Sequence, residues 1–162
     1  MRIGRRCCVL WTSRADRAGP KACTSRVNFD RAATQSRFDQ LVEGLSHEFD
    51  CPLAGGRGPQ EDAARFGIIR IRDERSGDGL PLAVVVSNFG DLTACLSYRT
   101  APGYGRTPPV DQDDYRRVER VSAELQLRLV PEHILDGLYQ GPNQWVFGPS
   151  AVTWFRRFFD YL

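Results

Sequence analysis

The stretch FGIIRIRDERSGDGLPLAVVVSNFGDLTACLSYR, residues 66–99, decides the fold of this chain. It contains three segments rich in Ile, Val and aromatic residues, which indicate β-strands at 66–72, 82–87 and 92–99. The two runs between these segments are rich in turn-forming residues. Because such short connections join neighbouring antiparallel strands, the stretch predicts an antiparallel meander.

The second and third predicted strands differ in pattern. The second contains three consecutive valines at 84–86, so it is apolar on both faces and is expected at the centre of the sheet. In the third, a set of apolar residues alternates with a set of smaller or polar ones: Leu92, Ala94 and Leu96 against Thr93, Cys95 and Ser97. We expect the first set to face the core and the second set to face water.

Segments with helical periodicity precede and follow the meander. Residues 28–49 predict an amphipathic helix capped by Asn28 or Asp30. A second helix is expected to begin at Asp111 and run to about residue 129. The remaining predicted elements are a short helix from Pro131, a candidate fourth strand at 144–147 and a last helix after Ser150. This order predicts an α+β fold, a three- to four-stranded antiparallel sheet (meander) with helices packed on one face.

Charge divides the chain into two parts. Residues 1–26 contain seven basic and one acidic side chain, whereas residues 27–162 contain 15 basic and 19 acidic side chains. We interpret 1–26 as a disordered basic N-terminal extension and 27–162 as a single α+β domain. The extension is also compatible with an upstream artefact of the start site or with an organelle transit peptide. Lys21 is the one lysine among 22 basic residues, a bias that suggests a GC-rich bacterial genome.

Composition excludes several classes of function. The apolar runs are far shorter than the ~20 residues needed to span a bilayer, so we expect no membrane association. The acidic balance of residues 27–162 argues against a nucleic-acid partner, because phosphate binding requires a basic face. The five cysteines form no C-x-x-C pair, which indicates reduced thiols in a cytoplasmic protein with no metal and no cofactor.

Polar residues with catalytic potential are scattered along the chain. His133 lies between Glu132 and Asp136, but on a short helix we expect it on the solvated side. Cys95 has no base placed beside it by sequence, so we interpret it as a small residue that packs under another element. Asp111, Asp113 and Asp114 could coordinate a cation, yet helix capping explains all three.

The glycine-rich runs at 55–58 and 103–106 match no complete phosphate-binding motif and are interpreted as turns. In the segment WFRRFF at 154–159, helical phasing places the aromatic residues inward. Arg156 and Arg157 are expected on a solvated stripe with Thr153 and Asp160.

The hypothesis that follows is a non-enzymatic interaction protein, such as a bacterial immunity or antitoxin-like protein that masks a basic protein partner. Its predicted interaction surface combines aromatic loop residues with an acidic helix start: Tyr104, Asp111, Asp113, Asp114 and Trp145. The alternative is a small enzyme or ligand-binding domain whose site assembles from Cys95, His133 and carboxylates. Self-association through an exposed sheet edge, giving a homo-oligomer, is a third possibility.

Overall fold

A five-stranded sheet with helices on both sides forms the fold. The computed structural model describes residues 30–57, 65–89, 91–97, 109–141 and 152–159. In chain order the elements are α1 (Arg31–Glu48), β1 (Gly55–Arg57), β2 (Arg65–Ile71), a 3-10 turn (Asp73–Arg75), β3 (Leu82–Ser87), β4 (Leu92–Ser97), α2 (Gln112–Glu124), β5 (Arg128–Leu129), α3 (Glu132–Leu135) and α4 (Trp154–Phe159). The predicted α+β class is confirmed.

The sheet has more strands than predicted, and it contains both antiparallel and parallel pairs. Its strand order is β1-β2-β3-β4-β5, with antiparallel pairing through β4 and parallel pairing between β4 and β5. The three- to four-stranded antiparallel prediction is therefore wrong in number and in direction. It missed β1 because Gly55-Gly56 is typical of a turn, and it missed β5 because two residues carry no periodicity. The candidate strand at 144–147 lies outside the described residues.

The second predicted helix ends earlier than expected. After α2, Gln126 has a left-handed φ of 57°, which turns the chain back towards the sheet. The Arg128 N–H then donates to the Asp91 carbonyl at 2.8 Å, and the Val130 N–H donates to the Thr93 carbonyl at 2.8 Å. These bonds, which form β5, replace the last helical turn that the sequence pattern predicts.

One face of the sheet packs against α1 and α2. Asp30 caps α1 by accepting from the Ala33 N–H at 3.0 Å, and α1 places Leu41 and Leu45 in the core. The two helices approach closely at Gly44, where a Cβ atom would lie only 2.6 Å from Val121 Cγ1. A side chain at position 44 would separate α1 from α2.

The opposite face of the sheet is also covered. Val85 and Ala94 point away from α1 and α2 and pack with Leu135 of α3 and with Phe158 and Phe159 of α4. The prediction that helices pack on one face is therefore wrong. The error has a physical cause, because the phasing of helices as short as α3 and α4, with four and six residues, does not indicate which face of the sheet they cover.

The strand β4 is buried on both sides as a consequence. All six residues from Leu92 to Ser97 are buried, and Cys95 belongs to the core beneath α1 and α2. The expectation that the Thr93, Cys95 and Ser97 side of the strand faces water is wrong, whereas the interpretation of Cys95 as a small residue packed under another element is confirmed. These small side chains lie beneath a helix, where larger ones would have less room.

In the part of the chain that the structure describes, every helix is too short or too polar to span a lipid bilayer.

Candidate protein-interaction site

The predicted acidic cluster serves mainly to build the start of α2. Asp111 Oδ1 accepts from the N–H groups of Asp113 and Asp114, at 2.9 and 3.2 Å, so Asp111 is the helix cap. Asp113 is exposed and forms an ion pair with Arg116 at 2.8 Å. Tyr104 and Trp145, the aromatic members of the predicted surface, lie outside the described residues.

Asp114 is buried rather than displayed to a partner. Its side chain is 1% exposed, and Oδ2 accepts from the Gly77 N–H at 2.7 Å, which fastens the β2–β3 turn to α2. Arg117 Nη1 lies 3.6 Å from Oδ1. Burial raises the pKa of this carboxyl group, while the Gly77 hydrogen bond and the Arg117 guanidinium lower it less strongly. Asp114 therefore stabilises the fold. Of the three predicted aspartates, Asp111 and Asp113 are the two that lie near the surface.

Cys95 and His133, two members of the alternative catalytic set, lie in different surroundings. Cys95 is 1% exposed, and its burial, with the charges of Asp114 and Glu132, raises the pKa of its thiol to about 12. A thiol with this pKa is protonated at neutral pH and is not a nucleophile. His133 is exposed on α3, on the solvated side that its spacing predicts. Burial also raises the pKa of Glu132, with a further contribution from Asp136.

The cavity beneath the Arg37–Asp91 ion pair is too small for a substrate. Arg37 Nη1 lies 2.9 Å from Asp91 Oδ1, and the space below this pair, bordered by Phe38 and Asn88, has a volume of about 10 Å³. A volume of this size holds about one water molecule.

A larger groove lies between α1 and the segment that leads into β1. Its volume is about 450 Å³, within the ~300–1,000 Å³ typical of ligand sites. We call it the α1–β1 groove, and define it by the residues that line it: Phe38, Asp39, Val42, Glu43, Ser46, Pro52, Leu53 and Gly55. All of them belong to the described part of the chain.

Local hydrogen bonds determine the shape of this groove. Ser46 Oγ donates to the Val42 carbonyl at 2.7 Å and accepts from the Leu53 N–H at 3.1 Å. The turn after α1 is thereby held against the last turns of the helix, and Leu53 is placed beside Val42. The chain from Leu53 to Gly55 runs alongside α1 in the opposite direction, because Ser46 contacts Leu53 while Phe38 lies over Gly55.

The position of Phe38, which lines one end of the groove, depends on two glycines. A Cβ atom at Gly55 would overlap the Phe38 ring, and a Cβ atom at Gly67 would lie 2.6 Å from Phe38 Cε2. The far end of the Phe38 ring therefore packs against the backbone of β1 and β2. The ring is also in edge-to-face contact with Phe66, with 5.6 Å between the ring centroids. This explains why β1 begins with glycine although glycine is a poor strand former.

The rim of the groove is acidic. Asp39 and Glu43 are both exposed, four residues apart on the same side of α1. Asp39 accepts from Gln35 Nε2 through both of its oxygens, at 2.9 and 2.8 Å. The groove thus combines an apolar floor, formed by Val42 and Leu53, with negative charge above it.

Sequence reasoning missed this site for a clear reason. Val42 and Leu53 are half-buried apolar residues, which the helical pattern assigns to the core, and Gly55-Gly56 is typical of a turn. A usable signal was present in the width of the apolar stripe of α1, because Val42 extends that stripe beyond the core positions Phe38, Leu41 and Leu45.

Comparison with known proteins identifies no relative. No protein-family model matches the chain, no curated protein matches it, and no solved structure matches it. Within the described residues, His, Cys, Asp and Glu side chains form no group of three or more that could hold a metal ion. Function therefore has to be inferred from the geometry of the α1–β1 groove.

Proposed function

We propose that this protein acts by binding another protein, a basic one, and that the α1–β1 groove is its contact site. The observation that carries the proposal is the pairing of an apolar floor at Val42 and Leu53 with an acidic rim at Asp39 and Glu43. Apolar area supplies affinity after desolvation, and the acidic rim steers a basic partner and favours it over acidic competitors.

The charge of the chain supports the same class of partner. Residues 27–162 hold four more acidic than basic side chains, so the domain attracts a basic protein beyond the groove itself. The concrete form of the proposal is a small cytoplasmic immunity or antitoxin-like protein that masks a basic enzyme. Asp111 and Asp113 form a second acidic area at the start of α2, which a large partner would also contact.

The test is co-expression of the full chain with the proteins encoded by the adjacent genes, followed by co-purification at about 0.05 M and about 0.5 M salt, because salt screens exposed charges. We expect an identified basic protein to form a stoichiometric complex that weakens at high salt. The double variant Asp39→Lys and Glu43→Lys should lose the complex. The matched variant Glu119→Lys and Glu124→Lys, with the same change in net charge on exposed positions of α2, should retain it.

Two results would overturn the proposal. One is the failure of any basic protein to form a stoichiometric complex with the wild-type chain at either salt concentration. The other is a complex that both double variants weaken equally, because that would show a dependence on net charge without a contribution from the groove.

A further inference from the structure

We infer that the α1–β1 groove takes an extended, arginine- or lysine-bearing segment of the partner as a sixth strand on the outer edge of β1. This inference rests on the proposed function and specifies its mode of binding. In the described residues β1 has a neighbouring strand on one side only, because it ends the strand order. Extended peptides bind to such edges through main-chain hydrogen bonds.

The backbone of β1 is accessible for this pairing. Gly55 and Gly56 are exposed and have no side chains that could cover the edge, whereas the last residue of β1, Arg57, is a charged residue. Edge strands in proteins are ordinarily protected by charged side chains, proline or a covering element. A Cβ atom at Gly56 would meet the Ile68 and Arg70 side chains at 3.5 Å or more, which is ordinary contact distance, so close packing does not require glycine there.

The helix α1 extends over the edge of the sheet and covers the position of the added strand. Phe38 and Val42 already contact the position of Gly55, while Asp39 and Glu43, on the same helix, line the groove. A strand placed beside β1 would therefore have α1 above one of its faces. Every second side chain of that strand would enter the groove.

The spacing of the two carboxylates matches the spacing of a strand. Asp39 and Glu43 are four residues apart, about 6 Å along the helix axis at the α-helical rise. Alternate residues of an extended chain are about 6.6 Å apart. Since α1 and the chain entering β1 run alongside each other, two groove-facing residues of an added strand can reach one carboxylate each.

The lining of the groove defines the side chain that it accepts. A residue that enters it passes over the apolar surface of Val42 and Leu53 before reaching Asp39 or Glu43 at the rim. Arginine and lysine match this order, because each has an aliphatic stem and a cationic head. The inferred ligand is thus an extended segment with a basic residue at every second position.

The experiment uses the full-length protein and three fluorescent peptides of about seven residues. One alternates arginine with valine, the second replaces arginine with neutral citrulline, and the third is the arginine peptide with alternate backbone N-methylation. Fluorescence anisotropy gives the dissociation constants, and hydrogen exchange gives the protection of the Gly55–Arg57 amides.

We expect the arginine peptide to bind and to slow amide exchange in β1. Citrulline substitution and N-methylation should each weaken binding about tenfold, since they remove the charge pairs and the main-chain hydrogen bonds respectively. Glu43→Gln should weaken binding about threefold to fivefold, whereas Glu124→Gln, a matched exposed position on α2, should leave it unchanged.

Equal binding of the N-methylated peptide, or unchanged exchange in β1, would overturn strand addition. Such a result leaves the proposed function standing if the identified basic protein still forms a complex that depends on Asp39 and Glu43. Failure of the arginine peptide to bind at millimolar concentration would also overturn the inference.

Two further outcomes would assign the edge to another occupant. If β1 amides are already protected without peptide and Arg5→Gln with Arg6→Gln removes that protection, the basic segment 1–26 occupies the edge. If the protection increases with protein concentration, a second copy of the chain occupies it. Either result would overturn the assignment to a partner segment.

Discussion

The two faces of the sheet are built by different means. The face beneath α1 and α2 is covered by two helices of 18 and 13 residues and filled mainly by aliphatic side chains. The face beneath α3 and α4 is covered by helices of four and six residues and filled by a mixture of aliphatic side chains and aromatic rings, several of which surround a buried arginine. The comparison shows that helical periodicity specifies one face, while individual side-chain contacts specify the other.

Arg157 is the clearest example from the second face. It is 1% exposed, and its guanidinium carbon lies 4.8 Å from the Phe89 ring centroid, 4.9 Å from that of Phe158 and 5.7 Å from that of Tyr139. The expectation that Arg157 shares a solvated stripe with Arg156 is wrong. A planar cation that stacks on aromatic rings can be buried where a periodic pattern predicts a polar surface residue.

The largest effect on stability is expected at Phe38, on the face of the sheet beneath α1 and α2. Replacing Phe38 with alanine should lower the free energy of unfolding by about 3–5 kcal/mol, because it leaves a cavity above Gly55 and Gly67. Urea unfolding followed by circular dichroism measures this change. Phe155→Ala, at a half-buried ring on the other face, should have a smaller effect. Equal losses would contradict the central role of the Phe38 ring.

The next largest effect on stability is expected at Arg157, on the face of the sheet beneath α3 and α4. We expect Arg157→Ala to lower the free energy of unfolding by about 2–3 kcal/mol, since it removes both the packing and the cation–π contacts with three rings. The neighbouring exposed residue is the control, and Arg156→Ala should change the stability by less than about 0.5 kcal/mol. The same urea titration distinguishes the two. A similar, small effect for both arginines would show that the second face does not depend on Arg157.

A smaller effect is expected at the junction between the β2–β3 turn and α2. Asp114→Ala should lower the free energy of unfolding by about 1–3 kcal/mol, because the Gly77 N–H loses its acceptor. Asp114→Asn should be less damaging, since its amide oxygen can still accept that hydrogen bond.

The difference in stability between the wild type and Asp114→Asn should depend on pH, and its sign follows from the pKa shift of Asp114. Burial raises the pKa of Asp114, so the folded state binds this proton more tightly than the unfolded chain does. Stability from this group is complete below its unfolded pKa and is lost as the pH rises through the raised folded pKa. Relative to Asp114→Asn, the wild type should therefore become less stable as the pH rises from about 4, the ordinary pKa of an aspartate, through the raised folded pKa. A constant difference across this range would contradict the raised pKa.

The last prediction concerns the reactivity of a cysteine thiol and not the stability of the fold. Because the pKa of Cys95 is raised to about 12, its thiol should resist iodoacetamide at pH 8 in the folded protein and react only after unfolding. Cys51, which is half-buried, provides an internal comparison and should react faster. Peptide mass spectrometry of the alkylated protein reports both positions. Rapid native labelling of Cys95 would revive the catalytic alternative.

Prediction from sequence succeeded where patterns extend over several residues. The bounds of β3 and the amphipathic α1 follow from runs of valine and from helical spacing, and Asp111 was assigned correctly as the cap of α2. Patterns of this length constrain the backbone because each residue supports the same structure.

The features that were not predicted from the sequence share a different cause. The strand β1 begins with glycine because Phe38, 17 residues before Gly55, occupies the space that a side chain at Gly55 would fill. Burial of Asp114 depends on its contact with Gly77, in a turn 37 residues away in sequence. The α1–β1 groove combines such distant contacts, so the wide apolar stripe of α1 hints at a contact through Val42 but does not identify the groove.

Site-specific photocrosslinking tests the role of the groove most directly. A benzoylphenylalanine residue is introduced at Val42, on the floor of the α1–β1 groove, or at Glu124 on α2, and each protein is irradiated in complex with the co-purified basic partner. We predict a crosslink from position 42 to an extended, basic segment of the partner and none from position 124. A crosslink from position 124 with none from position 42 would contradict the assignment of the groove as the contact site.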